Sequence, residues 1–162
     1  MLYCPTEEKD TSLKGSGRKS IMTVLIANDQ VDAIKTHAKS TYPEECCGFL
    51  LGVDSSLRTI HRTLSASNAT GESRRNRYNI DPMDFIKADE EARRSNLNLV
   101  GIYHSHPDAP ARPSQFDLEH AWPWYTYIVL SVQNGVPKDV SAWVLSEDRS
   151  NFRQDDLRIS GV

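Results

Sequence analysis

Residues 100–117 read Val100-Gly101-Ile102-Tyr103-His104-Ser105-His106-Pro107-Asp108-Ala109-Pro110-Ala111-Arg112-Pro113-Ser114-Gln115-Phe116-Asp117, and the rest of the chain reads as their support. The stretch opens as a short apolar run, best taken as a strand. Side chains of a strand alternate between faces, so His104 and His106 point the same way. Pro107 has no N–H for a ladder and ends the strand. A Pro- and Ala-rich loop follows. Ser114-Gln115-Phe116-Asp117 then carries the S-x-x-D form of a helix start. The loop can fold that first helical turn back against the strand end and bring Asp117 to the two histidines. Two neutral imidazoles and a carboxylate make three metal ligands. Zinc takes four, which leaves a position for water, as in a catalytic rather than a structural site. Ser114 and Asp117 also make a plain capping box, and the two jobs can coexist.

Upstream, Cys47-Gly48-Phe49-Leu50-Leu51-Gly52 is an apolar run bounded by glycines and reads as a buried strand, with 57–64 as its antiparallel neighbour. Val24-Leu25-Ile26 reads as a short strand. Asn28 can cap a helix that carries Val31, Ile34 and Ala38 on one face. Residues 65–77 are polar and read as a mobile loop, whose Arg74, Arg75 and Arg77 are taken as solvated surface rather than substrate contacts. Tyr78-Asn79-Ile80 reads as a brief strand. Asp81-Pro82 pairs an N-cap with proline at the first helical position, and starts a helix that buries Phe85, Ala88 and Ala92. Downstream of the central stretch lie a helix from Gln115, stopped by Pro123, and a strand over 127–132. An Asn134-Gly135 turn, a strand over 140–145 and a last edge strand over 152–159 complete the chain. Strands and helices mix without regular alternation, so the fold class is α+β, with a curved mixed β-sheet packed between helices.

The length of 162 residues suits one domain. Residues 1–21 read as a polar, disordered tail and 22–162 as the single domain. A net charge of -3 gives no reason to expect nucleic-acid binding. No apolar run is long enough to span a membrane. The three cysteines include the adjacent Cys46 and Cys47 without C-x-x-C spacing, which indicates neither a disulfide framework nor a cysteine zinc site. A reducing cytoplasm is the simplest compartment. Among the remaining histidines, His37 and His61 are expected to be exposed, and His120, one turn past Asp117, has no assigned role. Trp122, Trp124 and Tyr125 are expected in the core.

His104, Ser105, His106, Pro107, Ser114 and Asp117 together resemble the motif of the JAMM (MPN+) zinc metallopeptidases, H-S-H-P-x6-S-x-x-D. Pro43-Glu44-Glu45-Cys46-Cys47-Gly48, Asn76-Arg77-Tyr78, Ile80-Asp81-Pro82 and Arg112-Pro113-Ser114 resemble the compact bacterial members. The resemblance implies one zinc per chain on His104, His106 and Asp117. It also implies Glu45 as the carboxylate that moves protons and Ser114 as donor to the developing oxyanion. From the residues alone, Glu45 ranks no higher than Glu44 or Glu72. The implied reaction is hydrolysis of the amide bond after the C-terminal Gly-Gly of a ubiquitin-like sulfur-carrier protein, releasing cysteine or a short extension. A deubiquitinase-like isopeptidase and a zinc amidase on small molecules are the alternatives. The tail of such a partner would lie as an added strand along a sheet edge.

Overall fold

The computed structural model describes residues 21–161, so the polar N-terminal segment read as a tail lies outside the described residues. Seven strands and three helices follow in the order β1 (Thr23–Ala27), α1 (Asn28–Thr41), β2 (Cys47–Asp54), β3 (Arg58–Ala66), α2 (Pro82–Arg94), β4 (Asn98–Pro107), α3 (Gln115–His120), β5 (Thr126–Gln133), β6 (Val136–Leu145) and β7 (Phe152–Ser160). The strand order is β1-β3-β2-β4-β5-β6-β7, and the ring closes because β7 returns to β1. The mixed α+β class is as expected from the sequence. The open, curved sheet with an edge strand at its end is not. β1 runs parallel to β3 through Val24–Ile26 and parallel to β7 along its whole length, from Thr23 opposite Asp156 to Ala27 opposite Ser160. This short strand thereby pairs both would-be edges, whose N–H and C=O groups would otherwise stay open to other chains.

The ring wraps around α1, which reaches β1, β3, β4, β5, β6 and β7. Val31, Ile34 and Ala38 of this helix pack with Val24, Ile26, Leu50, Tyr103, Ile128 and Leu130. Burial of each large aliphatic side chain there contributes roughly 1.5–3 kcal/mol. α2 lies on the opposite face against β2 and β4. It covers a second core of Phe49, Ile80, Ala88, Ile102, Tyr127 and Leu145. The sheet is therefore packed between helices, as expected. Asp81 caps α2 by accepting from Met83 N–H, with Pro82 at the first helical position. Asn28 does not cap α1: Ala27 holds the cap position without a side-chain bond, and Asn28 instead donates to Asp32 from inside the first turn. Asn134 and Gly135, both at positive φ, form the two-residue β5–β6 hairpin turn. Among the described residues no helix is long and apolar enough to cross a membrane.

Candidate active site

β4 runs in the middle of the ring, antiparallel to β2 and parallel to β5. Its register places His104 opposite Cys47 on β2 and His106 opposite Ser131 on β5. Tyr103 joins the core around α1, whereas Ile102 joins the core under α2. By alternation His104 and His106 share the face of Ile102. Gly48 on β2 is what lets the Tyr103 ring lie across the neighbouring strand, since a Cβ there would come within 2.4 Å of that ring.

The two imidazoles converge, with their Nε2 atoms 3.1 Å apart. Asp117 presents Oδ1 to His104 Nε2 at 3.3 Å and Oδ2 to His106 Nε2 at 3.4 Å. All three residues are buried, and together they could hold a metal ion. Ligands about 2.0–2.1 Å from a tetrahedral zinc are separated by roughly 3.3 Å, so the observed separations fit such an ion. His106 Nδ1 faces Pro110 C=O at 3.0 Å. That bond makes Nδ1 the protonated nitrogen and leaves the Nε2 lone pair directed at its neighbours, the usual support of a ligating histidine. Burial lowers the His106 pKa, but the Asp117 carboxylate outweighs it and the net direction is up. Burial also raises the Asp117 pKa, yet His104, His106 and the Ser114 N–H hold that carboxyl well below the usual range. The ring of His104 is sandwiched from one side by Tyr78, stacked at 4.7 Å.

The loop from Pro107 to Ser114 is fixed through three successive carbonyls. Ser131 Oγ donates to Ala109 C=O at 2.7 Å. His106 Nδ1 takes Pro110, and Ala111 accepts from Ser141 Oγ and from Trp143 Nε1. The loop in turn delivers Ser114 and the six-residue α3. There the capping box is complete: Asp117 N–H donates to Ser114 Oγ at 3.2 Å, and Ser114 N–H donates to Asp117 Oδ2 at 2.6 Å. Ser114 Oγ also donates to the same Oδ2 at 2.7 Å. The cap and the candidate metal-ligand cluster thus share one carboxylate.

Glu45 is only 4% exposed, while Glu44 is exposed and faces Arg74 at 3.8 Å. Glu45 lies two residues before Cys47, the partner of His104, so it falls on the face of the histidines. Its N–H donates to Arg74 C=O at 2.7 Å, and its own C=O accepts from Asn68 Nδ2 at 3.2 Å. Burial pushes the Glu45 carboxyl up to about 8; His106 pulls it down and Asp117 pushes it further up. The strand and cap patterns pointed to His104, His106 and Asp117, the family resemblance added Glu45 and Ser114, and the structure brings all five to one end of β4.

Other expectations fare differently. His37 is half-buried and bonded to Tyr103 Oη at 2.8 Å rather than exposed. His61 is exposed. His120 is exposed, turned back to Phe116 C=O and stacked on the Phe116 ring. Trp124 is 51% exposed rather than core. The segment read as a mobile loop is tied down, in part by one side chain: the Asn68 amide also donates to Arg77 C=O, and its oxygen accepts from the N–H groups of Thr70 and Asn79. Tyr78-Asn79-Ile80 makes only a single bridge, Ile80 to Asn68. Asn68, Ser131, Ser141 and Trp143 were missed. The only sequence signal for the last two is a hydroxyl and an indole on one face of a strand, which is too common to single out.

Residues 27–146 match the family described as prokaryotic homologs of the JAB domain. This chain belongs to that family. The desampylase of Pyrococcus furiosus is 33% identical over 128 residues, covering 79% of this chain and 85% of that protein. The CysO-cysteine peptidase of Mycobacterium tuberculosis is 32% identical over 119 residues, covering 72% and 80%. A solution structure of a Salinibacter ruber protein aligns with a TM-score of 0.66 at 41% identity, covering 83% of this chain and 90% of that one. Like its JAMM-type relatives, this JAB-domain chain is an enzyme, a hydrolase of the peptidase class.

Proposed function

We propose that this JAB-domain enzyme hydrolyses the amide bond after the C-terminal Gly-Gly of a ubiquitin-like sulfur-carrier protein, with one zinc ion held by His104, His106 and Asp117. The observation that carries the reading is the buried Glu45 carboxyl set on the face of three convergent ligands. A zinc ion held there supplies Lewis acidity toward water and toward a carbonyl oxygen. Glu45 accepts the proton of the attacking water and returns it to the leaving amine; its raised affinity for protons suits both halves of that task. The names of two relatives, a desampylase and a CysO-cysteine peptidase, support a substrate of the ubiquitin-like kind.

Among the described residues the closed ring gives a substrate tail no free sheet edge. A substitute edge lies at Tyr78. Asn68 holds the backbone on either side, at Arg77 C=O and Asn79 N–H. Among the described residues the Tyr78 N–H and C=O have no hydrogen-bond partner. An extended tail can pair with them while its last glycines, which have no side chains, reach His104 beneath the Tyr78 ring. Incubation with a ubiquitin-like protein extended beyond its Gly-Gly, followed by mass spectrometry, is expected to show a single cut after the second glycine. Equal cutting of unrelated peptides would remove the ubiquitin-like reading and leave a general zinc amidase.

Ser114 is the proposed donor to the oxyanion. A hydroxyl carries one proton, and that proton now goes to Asp117 Oδ2. Donation to substrate therefore requires the hydroxyl to turn, while the Ser114 N–H keeps its hold on the carboxylate. Ser114→Ala is expected to keep zinc and fold but slow turnover roughly 10²- to 10³-fold. Loss of the cap adds about 1 kcal/mol of destabilisation, read by urea unfolding. Turnover at the wild-type rate in this variant would reduce Ser114 to a helix cap.

A further inference from the structure

Two cavities flank the site. One, of about 610 Å³, lies between Glu44, Arg74, Arg75 and Pro107. The other, of about 490 Å³, opens beside Ser114 and is walled by Arg112, Leu118, Trp143, Asn151 and Phe152. With the tail paired along Tyr78, the first cavity lies on the side of the acyl chain, next to the 73–76 loop. The second is left for whatever is bonded to the last glycine.

The chemistry of the second groove is specific. Its wall is mixed: Pro113, Leu118, Trp143 and Phe152 give it an apolar side, and Ser114, Gln115, Ser150 and Asn151 a polar one. The Trp143 indole is held in place by Nε1 bonds to Ala111 C=O at 3.2 Å and Ser141 Oγ at 2.7 Å. Among the described residues its lining holds no acidic side chain. It has one cation, Arg112. The other arginines around the site are engaged: Arg74 with Glu44, Arg75 with Asp108, and Arg77 over the Phe116 ring. Among the described residues the Arg112 guanidinium has no carboxylate or hydrogen-bond partner.

We infer that this groove is a leaving-residue subsite, in which Arg112 pairs with the free α-carboxylate of a single amino acid bonded to the Gly-Gly tail, while Leu118, Trp143 and Phe152 receive its side chain. The inference rests on the proposed hydrolysis and deepens it. Length allows a single residue. Arg112 is two residues from Ser114, at most about 7 Å of chain, and the carboxylate of a leaving amino acid is about one residue length, roughly 3.5 Å, from the amine released. The side-chain amine of a lysine in a folded partner brings no carboxylate to that distance. A planar guanidinium meets a carboxylate through two parallel bonds, which an ammonium does not reproduce.

The test uses zinc-loaded Glu45→Gln enzyme, so that binding is read without turnover. Two fluorescein-labelled peptides end in Gly-Gly-Phe, one as the free acid and one as the carboxamide, and anisotropy gives their affinities. The acid is expected to bind about tenfold more tightly than the amide. Adding Arg112→Gln is expected to bring the ratio to about one, and Arg112→Lys to keep part of it. Equal binding of the two peptides, an acid preference that survives Arg112→Gln, or no binding of either would overturn the subsite. Acid-selective binding with no cleavage of either peptide by wild-type enzyme would uphold the subsite and remove the proposed hydrolysis instead.

Discussion

Glu45→Gln is expected to slow the chemical step by about 10²-fold or more while keeping zinc and substrate affinity, whereas Glu44→Gln is expected to turn over close to the wild-type rate. The two carboxylates are neighbours in sequence and differ only in the face they take. Glu44 is exposed and faces Arg74. Glu45 is buried on the side of the strand where Cys47 meets His104. Glutamine keeps the size and polarity of Glu45 but cannot accept the proton. Single-turnover rates at saturating substrate separate the pair. An inactive Glu44→Gln beside an active Glu45→Gln would mean that the strand entrance is read one residue out of register, and the proton-transfer role would move with it.

His106→Ala is expected to lose turnover and also the stabilisation that zinc gives the fold. The three ligands join the end of β4 to α3 across the loop from Pro107 to Ser114, so an ion bound there ties two elements together. Binding to the native state alone stabilises it by about 4 kcal/mol when the free ligand is a thousandfold above its dissociation constant. Wild-type protein stripped with chelator should therefore melt several degrees lower and recover on adding zinc, while His106→Ala shows no recovery. Removing His106 also leaves Pro110 C=O without its donor. Part of any loss in the stripped variant will come from that bond. Recovery of the variant by zinc to the wild-type extent would remove His106 from the ligand set.

Much of this site was legible because its signals are local. Alternation puts His104 and His106 on one face, and S-x-x-D places Asp117 in a first helical turn; neither needs knowledge of distant residues. Asp81-Pro82 is legible for the same reason. The closure of the ring was not, because it depends on pairing Thr23 with Asp156, at opposite ends of the domain. β7 therefore looked like an edge, and an added strand looked possible where no edge exists. The exposed side of Trp124 and the bond from His37 to Tyr103 depend on which faces the closed ring leaves open. The hold of Ser131, Ser141 and Trp143 on the loop depends on β5 and β6 lying beside it. Asn68 could be read as a loop residue, but its bonds to Arg77 and Asn79 exist only once the 68–80 excursion folds back on itself, and its bond to Glu45 only once that excursion meets the entrance of β2.

The proposed mechanism divides the labour: His104, His106 and Asp117 would hold the ion, and Glu45 would move the proton. Elemental analysis of protein purified without chelator tests it most directly, on wild type, His106→Ala and Glu45→Gln side by side. One zinc per chain in wild type and in Glu45→Gln, with little or none in His106→Ala, is the expected result. Zinc retained at the wild-type level in His106→Ala, or lost in Glu45→Gln, would contradict it.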